Sequence, residues 1–496
     1  MIPDASDPVS HGIVRRACPT AAGQRTTLWR AWRFGVVALL LAGRAVHAQT
    51  APADATVAAQ RPTIETNRWE ENWQPLADRS LRTEPLDSLK YISLDDTDAA
   101  SYLSLGMTLR ERIESLNAPS FGVGHNPANT YLLQRFQIHA DLHVNQNWQV
   151  FVQLEDVRAF YKTVLMSVDQ NPLDLSLAFI AYTTTFDAGT LKLRVGRQDF
   201  LFDLQRFVSS RDGPNVRQSF DAIWADWESG PWRLIGFVSQ PVQYYSVQPF
   251  DDVSNRRFRF STARVERHVF GNNELSFYYS LWERDNARYL YAAGRERRDV
   301  YDGRFAGKLD GWDWDIEAMG QTGIVGGKAI RAWATGARGG YTWQQTAWRP
   351  RLGLQVDAAS GNTHTAGNVL GTFNPLFPNG YYFTLAGYTG YANLIHVKPS
   401  ITIKPLAKLS VTAAVAAQWR ETTVDAVYTQ PNVPVAGTAG HGACWTGMYG
   451  QIRTDYAFTP NLTGAIEAVH YAIGSVIRRV GGHDGDYLGV ELKFAW

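Results

Sequence analysis

From residue 102 onward, apolar and polar residues alternate with the period of two that marks an extended strand exposing its two sides to different surroundings. Leu103, Leu105, Met107 and Leu109 share one side, and Ser104, Thr108, Arg110, Arg112 and Glu114 the other. The pattern returns with Phe136, Ile138, Ala140, Leu142 and Val144 against Arg135, Gln137, His139, Asp141 and His143. It closes the chain, where Leu488, Val490, Leu492, Phe494 and Trp496 oppose Gly489, Glu491 and Lys493. A polar side this rich in charge must meet water or its own counter-charges, whereas an apolar side that ends on an aromatic suits lipid.

Such segments number about eighteen, within the even-numbered range of single-chain membrane barrels. They begin at 102–114 and end at 486–496, with 273–284 and 301–310 among them. Their connections alternate in length. Asn145-Gln146-Asn147, Asp187-Ala188-Gly189, Ser229-Gly230, Gly271-Asn272, Gly311 and Thr459-Pro460-Asn461 carry turn chemistry, and longer loops at 116–130, 201–216, 241–255, 361–392 and 421–447 lie between them. Only 324–328 is shorter than the alternation requires. The pattern predicts an all-β fold: a closed antiparallel transmembrane β-barrel with short periplasmic turns and long extracellular loops. Closure follows because lipid offers no partner to an open strand edge, so the last strand must pair with the first. A secreted sandwich or solenoid would also alternate. Sandwich loops need not alternate in length, however, and no repeat of fixed period supports a solenoid.

The part before residue 102 reads differently. The longest apolar run, 34–43, is too short to span a bilayer as a helix. With Arg25, Arg30 and Arg33 before it and Val46-His47-Ala48 after it, the run reads as a secretory signal, so residues 1–48 are expected to be a leader. Pro52, Pro62, Pro75 and Pro85 break any periodicity in 49–101, which is expected to be an extended N-terminal periplasmic segment ahead of a barrel at 102–496. Removing the leader takes six Arg and two Asp and moves the formal charge from +1 to −3, leaving no basic bias toward nucleic acid. An aromatic content of 12%, from 17 Trp, 22 Tyr and 23 Phe, suits the two aromatic girdles of a membrane barrel.

Several segments resemble the alginate export family of outer-membrane β-barrels. They include Arg68-Trp69-Glu70-Glu71-Asn72-Trp73, Leu109-Arg110-Glu111-Arg112, Val195-Gly196-Arg197-Gln198, Arg211-Asp212-Gly213-Pro214-Asn215-Val216-Arg217 and Thr372-Phe373-Asn374-Pro375-Leu376-Phe377-Pro378. The sequence departs from the family pattern at Met107-Thr108, Phe202-Asp203 and Asn362. The resemblance covers most of the mature chain. It implies an outer-membrane channel for an anionic, alginate-like polysaccharide or related anionic solute, with a porin for small organic solutes as the alternative.

If the apolar sides meet lipid, the opposite sides line a lumen, and the expected pore-lining residues are Arg110, Arg112, Arg135, Asp141, Lys192, Arg194, Arg351, Asp357, Arg420 and Arg453. Arginine suits a carboxylated solute because its planar fork binds carboxylate bidentately. The competing reading is that arginines and acids on adjacent strands neutralise each other and stiffen the wall. Loops 361–392 and 421–447 are long enough to fold inward as a constriction, or to stand exposed. His483-Asp484-Gly485-Asp486 reads as a solvated turn before it reads as a cation site. No catalytic constellation is visible: His139, His143, His268, His396 and His470 are scattered, so an outer-membrane hydrolase is the weakest reading. No cofactor and no metal is expected. The expected partners are outer-membrane lipid and the solute, the barrel is expected to be a monomer, and an exporter would add periplasmic partners.

Overall fold

The alternation becomes a closed wall. The computed structural model describes residues 60–124, 126–271 and 273–496, so the expected leader and the start of the N-terminal segment lie outside the described residues. Eighteen strands run around the barrel in chain order, each antiparallel to the next. They are β1 (Tyr102–Leu116), β2 (Asn129–Val144), β3 (Trp148–Phe160), β4 (Asn171–Phe186), β5 (Gly189–Gln198), β6 (Phe220–Ser229), β7 (Trp232–Gln243), β8 (Phe258–Val269) and β9 (Asn273–Arg288). The circuit continues through β10 (Ala293–Leu309), β11 (Trp312–Val325), β12 (Lys328–Thr342), β13 (Arg351–Ala359), β14 (Leu394–Leu406), β15 (Leu409–Trp419), β16 (Trp445–Ala457), β17 (Leu462–Ile473) and β18 (Gly485–Ala495). β18 pairs with β1 from Thr108↔Ala495 to Leu116↔Tyr487, and this ladder removes the last free edge.

The two sides of the wall follow the sequence alternation. Ile113 is 51% exposed beside Arg112 at 1%, and Ile223, Val238, Ile324 and Ile466 are likewise exposed on the outer surface. In water such a surface would drive aggregation; in lipid it is the matching solvent. Exposed Trp148, Phe186, Trp232, Trp312 and Phe458 ring the short-turn end, where amphipathic aromatics favour the membrane interface. The tight turns use left-handed backbone: Asp310 and Gly311 have φ of +48° and +89°, the sign a two-residue hairpin needs at both central positions.

One connection differs from expectation. The span between 284 and 301 is mostly a continuation of β9 and β10, which end in the short hairpin 289–292. The charged residues Arg284, Asp285 and Arg288, and then Arg295, Glu296, Arg297, Arg298 and Asp299, fall on both sides of its strands, so period two is hidden. The strands are held instead by a ladder in which Arg284 and Arg298 both bond Glu296.

Two long connections on the opposite end, 199–219 and 360–393, fold back into the lumen. They meet in a parallel bridge, Val208↔Phe377, and Phe377 N donates to Phe207 O at 2.9 Å. Phe377 packs on Phe220, Phe260 and Trp282 with ring centroids 4.9–5.3 Å apart, giving the inside of the barrel an apolar core of its own. Each such ring contributes about 1.5–3 kcal/mol by leaving water. At the short-turn end, residues 60–101 pack as one compact unit with the barrel.

Candidate functional site

The positions expected to line the pore lie on the inward side of their strands, except Arg420, which follows β15, and most of their charge is already engaged. Arg112 pairs with Glu114, Glu467 and Glu491, with Tyr381 beneath its guanidinium. Arg351 bonds Asp313, Lys192 pairs with Glu228 at 3.0 Å, and Arg453 pairs with Asp455 at 2.8 Å and with Glu467. Asp141 accepts from Gln149 and faces His143. Arg194 stacks between Trp69 and Trp224, 4.0 and 4.6 Å from the ring centroids.

A second group of wall residues holds the inward loops. Arg110 Nη1 donates to Asp212 O at 2.8 Å, and Arg135 donates to the carbonyls of Asn215 and Pro214 at 2.8 and 2.7 Å and to the Asp212 carboxylate. Asp357 accepts from the hydroxyls of Tyr382 and Tyr391, while Lys398 Nζ donates to Phe383 O. In the reverse sense, the loop residue Arg206 is gripped by the wall acids Asp315 and Glu317. Arg420 donates to five carbonyls, those of Thr423, Asp425, Thr438, His441 and Ala443, and so folds the 420–444 connection over the barrel. Loops 199–219 and 360–393 thus fold inward, held there by buried cations bonded to their backbone carbonyls: Arg110 and Arg135 for the first, Lys398 for the second. Hydrogen bonds to charged groups contribute roughly 1.5–3 kcal/mol each.

These contacts single out Arg211. Burial opposes the charge of its neighbour Asp212, but Arg135, Arg217 and Arg110 outweigh that and hold the carboxyl well below its usual range. Asp212 is therefore committed to other cations. Arg211 itself shows no ion pair; its guanidinium lies 5.4 Å from the Phe377 ring centroid. Burial pushes it below its ordinary value, and the one influence in the other direction is Tyr244. Its φ of +55° is a left-handed conformation that is costly for a side-chain-bearing residue and concentrated at functional positions.

Arg211 borders two cavities. One, of 570 Å³, is lined by Arg211, Arg284 and Arg288 together with Trp282, Tyr289 and Phe377, and no acid lines it. The other, of 320 Å³, adds Tyr131, Tyr381, Tyr388 and Tyr487, and there Lys162 is paired with Asp169 at 2.7 Å. Pro378 and Pro431 border both, so Arg211 stands where the two spaces meet. Sequence reasoning passed over Arg211 as a pore residue because it lies in a loop rather than on an alternating strand. The signal available was the density of charge in 211–217.

At the short-turn end the N-terminal segment enters the lumen. Arg68 bonds Glu71, the carbonyls of Met107 and Trp496, and the Thr108 hydroxyl. Trp69 reaches inward, donating to Asp199 at 3.1 Å, while its carbonyl accepts from Gln149. Lys90 is wholly buried between the Trp73 and Trp496 rings, 5.1 and 4.9 Å from their centroids, and its Nζ has no hydrogen-bond partner. Burial, reinforced by Arg68, pushes it down to about 7. In the 483–486 turn, Asp484 accepts from Ile473 N and Arg478, and Asp486 from Asn117, so these carboxylates serve the protein itself.

A family model described as alginate export matches residues 101–491. No curated protein matches the chain. Similar solved structures include Pseudomonas aeruginosa OpdO, 12% identical with a TM-score of 0.52 over 79% of this chain and 97% of that one. P. aeruginosa OccK8 (OprE) is 11% identical, with a TM-score of 0.51 over 79% and 98%. P. aeruginosa OccK2 (OpdF) in complex with glucuronate is 12% identical, with a TM-score of 0.50 over 79% and 98%. At these identities the likeness is one of fold.

Proposed function

The chain belongs to the alginate export family, and from that premise we propose that this bacterial outer-membrane channel selects carboxylated solutes at Arg211. The observation that carries the reading is a guanidinium without an ion pair at the junction of two cavities, in a lumen where most arginines are neutralised or bonded to loop carbonyls. A cation surrounded by low-dielectric walls focuses its field on the path and favours anions. Because Arg211 stands with Arg288 and with Arg284, itself paired with Glu296, in a space that joins a second cavity rather than in a closed cage, binding stays weak enough for release.

Cavities of 320 and 570 Å³ suit one small ring-sized acid at a time. A polyuronate chain would need 199–219 and 360–393 to leave the lumen, so the favoured solute is a small carboxylate, with glucuronate, the ligand of the OccK2 structure, as the first probe. The barrel is proposed to act as a monomer. In planar bilayers, Arg211→Gln is expected to bring anion preference close to unity and to weaken current block by glucuronate roughly tenfold, the loss of one charge-assisted contact. Unchanged selectivity and block would discard the proposal. Block by polyuronate at lower concentration than glucuronate would instead favour the polymer reading.

A further inference from the structure

At the long-loop end, the start of β4 and the connection 244–257 bring three carboxylates together. One oxygen from each of Asp174, Asp251 and Asp252 lies within 4.8 Å of the others. Arg197, whose charge acts on Asp252, forms its own ion pair with Asp221 at 2.9 Å. Beside the acids stands Asn171, 1% exposed, whose Nδ2 donates to Asp252 Oδ2 at 2.8 Å while its Oδ1 has no partner. With the amide held there, covalent geometry keeps Oδ1 within roughly 5 Å of that carboxylate oxygen. Asp251 Oδ1 is also buried without a partner. The unsatisfied atoms at this spot are thus all oxygens that can only accept, on a group with surplus negative charge.

We propose that Asn171, Asp174, Asp251 and Asp252 form a calcium site that ties the 244–257 connection to β4. A hard cation is the ligand that satisfies several oxygen acceptors at once, and a buried acceptor left unmade costs about 1–3 kcal/mol. Calcium takes six to eight oxygens at about 2.3–2.6 Å in flexible geometry, so ligands on opposite sides of one ion stand about 5 Å apart, which accommodates this cluster; magnesium, which demands a near-ideal octahedron, suits an irregular set of carboxylates less well. The site departs from the sequence expectation of no metal, since the acids come from segments 78 residues apart, as Asp174 and Asp252 are.

The test is calorimetric titration of calcium chloride into EDTA-treated full-length protein, refolded in detergent free of lipopolysaccharide, with magnesium chloride as a second arm. One saturable calcium site per chain is expected, weakened at least tenfold in Asp251→Asn/Asp252→Asn and several-fold in Asn171→Ala. Heat-modifiable migration on gels reports that each variant is folded; if the double variant is not, Asn171→Ala decides. Absence of a saturable calcium heat, binding unchanged in the folded variants, or magnesium binding as tightly as calcium would each overturn the assignment.

Discussion

The protein's own chain enters the lumen at both ends, and each end holds a cation without an ion pair, yet the two are built for different ends. At the outer constriction, Arg211 borders open cavities, with Asp212 drawn away to other arginines. At the inner mouth, Lys90 is enclosed between Trp73 and Trp496. An unpaired cation can serve a solute only where it faces space that the solute can enter; enclosed, it is a cost to folding that packing must offset. The contrast separates a cation that a solute can reach from one that packing encloses.

The contrast is broken most directly at Arg68, which joins the N-terminal segment to β1 and to the carbonyl of Trp496. Arg68→Ala leaves Glu71 buried and unpaired, a loss of about 3–5 kcal/mol for the segment. Single-channel conductance is expected to rise several-fold while the barrel still migrates as folded; unchanged conductance would show that the segment does not obstruct the path.

A smaller effect comes from Lys90. Its folded-state value of about 7 lies below its ordinary one, so between pH 7 and about 10 the unfolded chain binds a proton that the folded chain does not. Stability should therefore rise with pH across that window, whereas below pH 7 both states are protonated and the full penalty applies. Melting curves of Lys90→Met, which removes the group, should show a higher Tm at pH 7 than the parent and lose this rise. A variant that melts lower and keeps the slope would contradict the assignment.

The smallest change is expected at Arg453. This half-buried wall residue is balanced by Asp455 and Glu467, and its loss should cost about 0.2–1 kcal/mol. Arg453→Gln should leave reversal potentials as they were. A shift as large as that of Arg211→Gln would mean that paired wall charges also set selectivity.

Strands and closure were legible because period two is local: Arg112 and Ile113 declare opposite sides in any window that contains them. The 289–292 hairpin was not, since salt-bridged polar residues on both faces erase that period. The inward-facing arginines were legible as residues but not as roles. Whether Arg110 meets solute or backbone depends on Asp212, 102 residues away, and nothing local records that meeting.

By itself, then, the amino-acid sequence determined a wall with one side for lipid and one for charge, because side-chain alternation and the demand of lipid for a closed ladder act over a few residues at a time. The tertiary structure alone decided what fills the barrel. Loop carbonyls and wall guanidiniums find each other only once the circle is closed, and their bonding commits Arg110 and Arg135 to the loops while Arg211 is left facing two cavities.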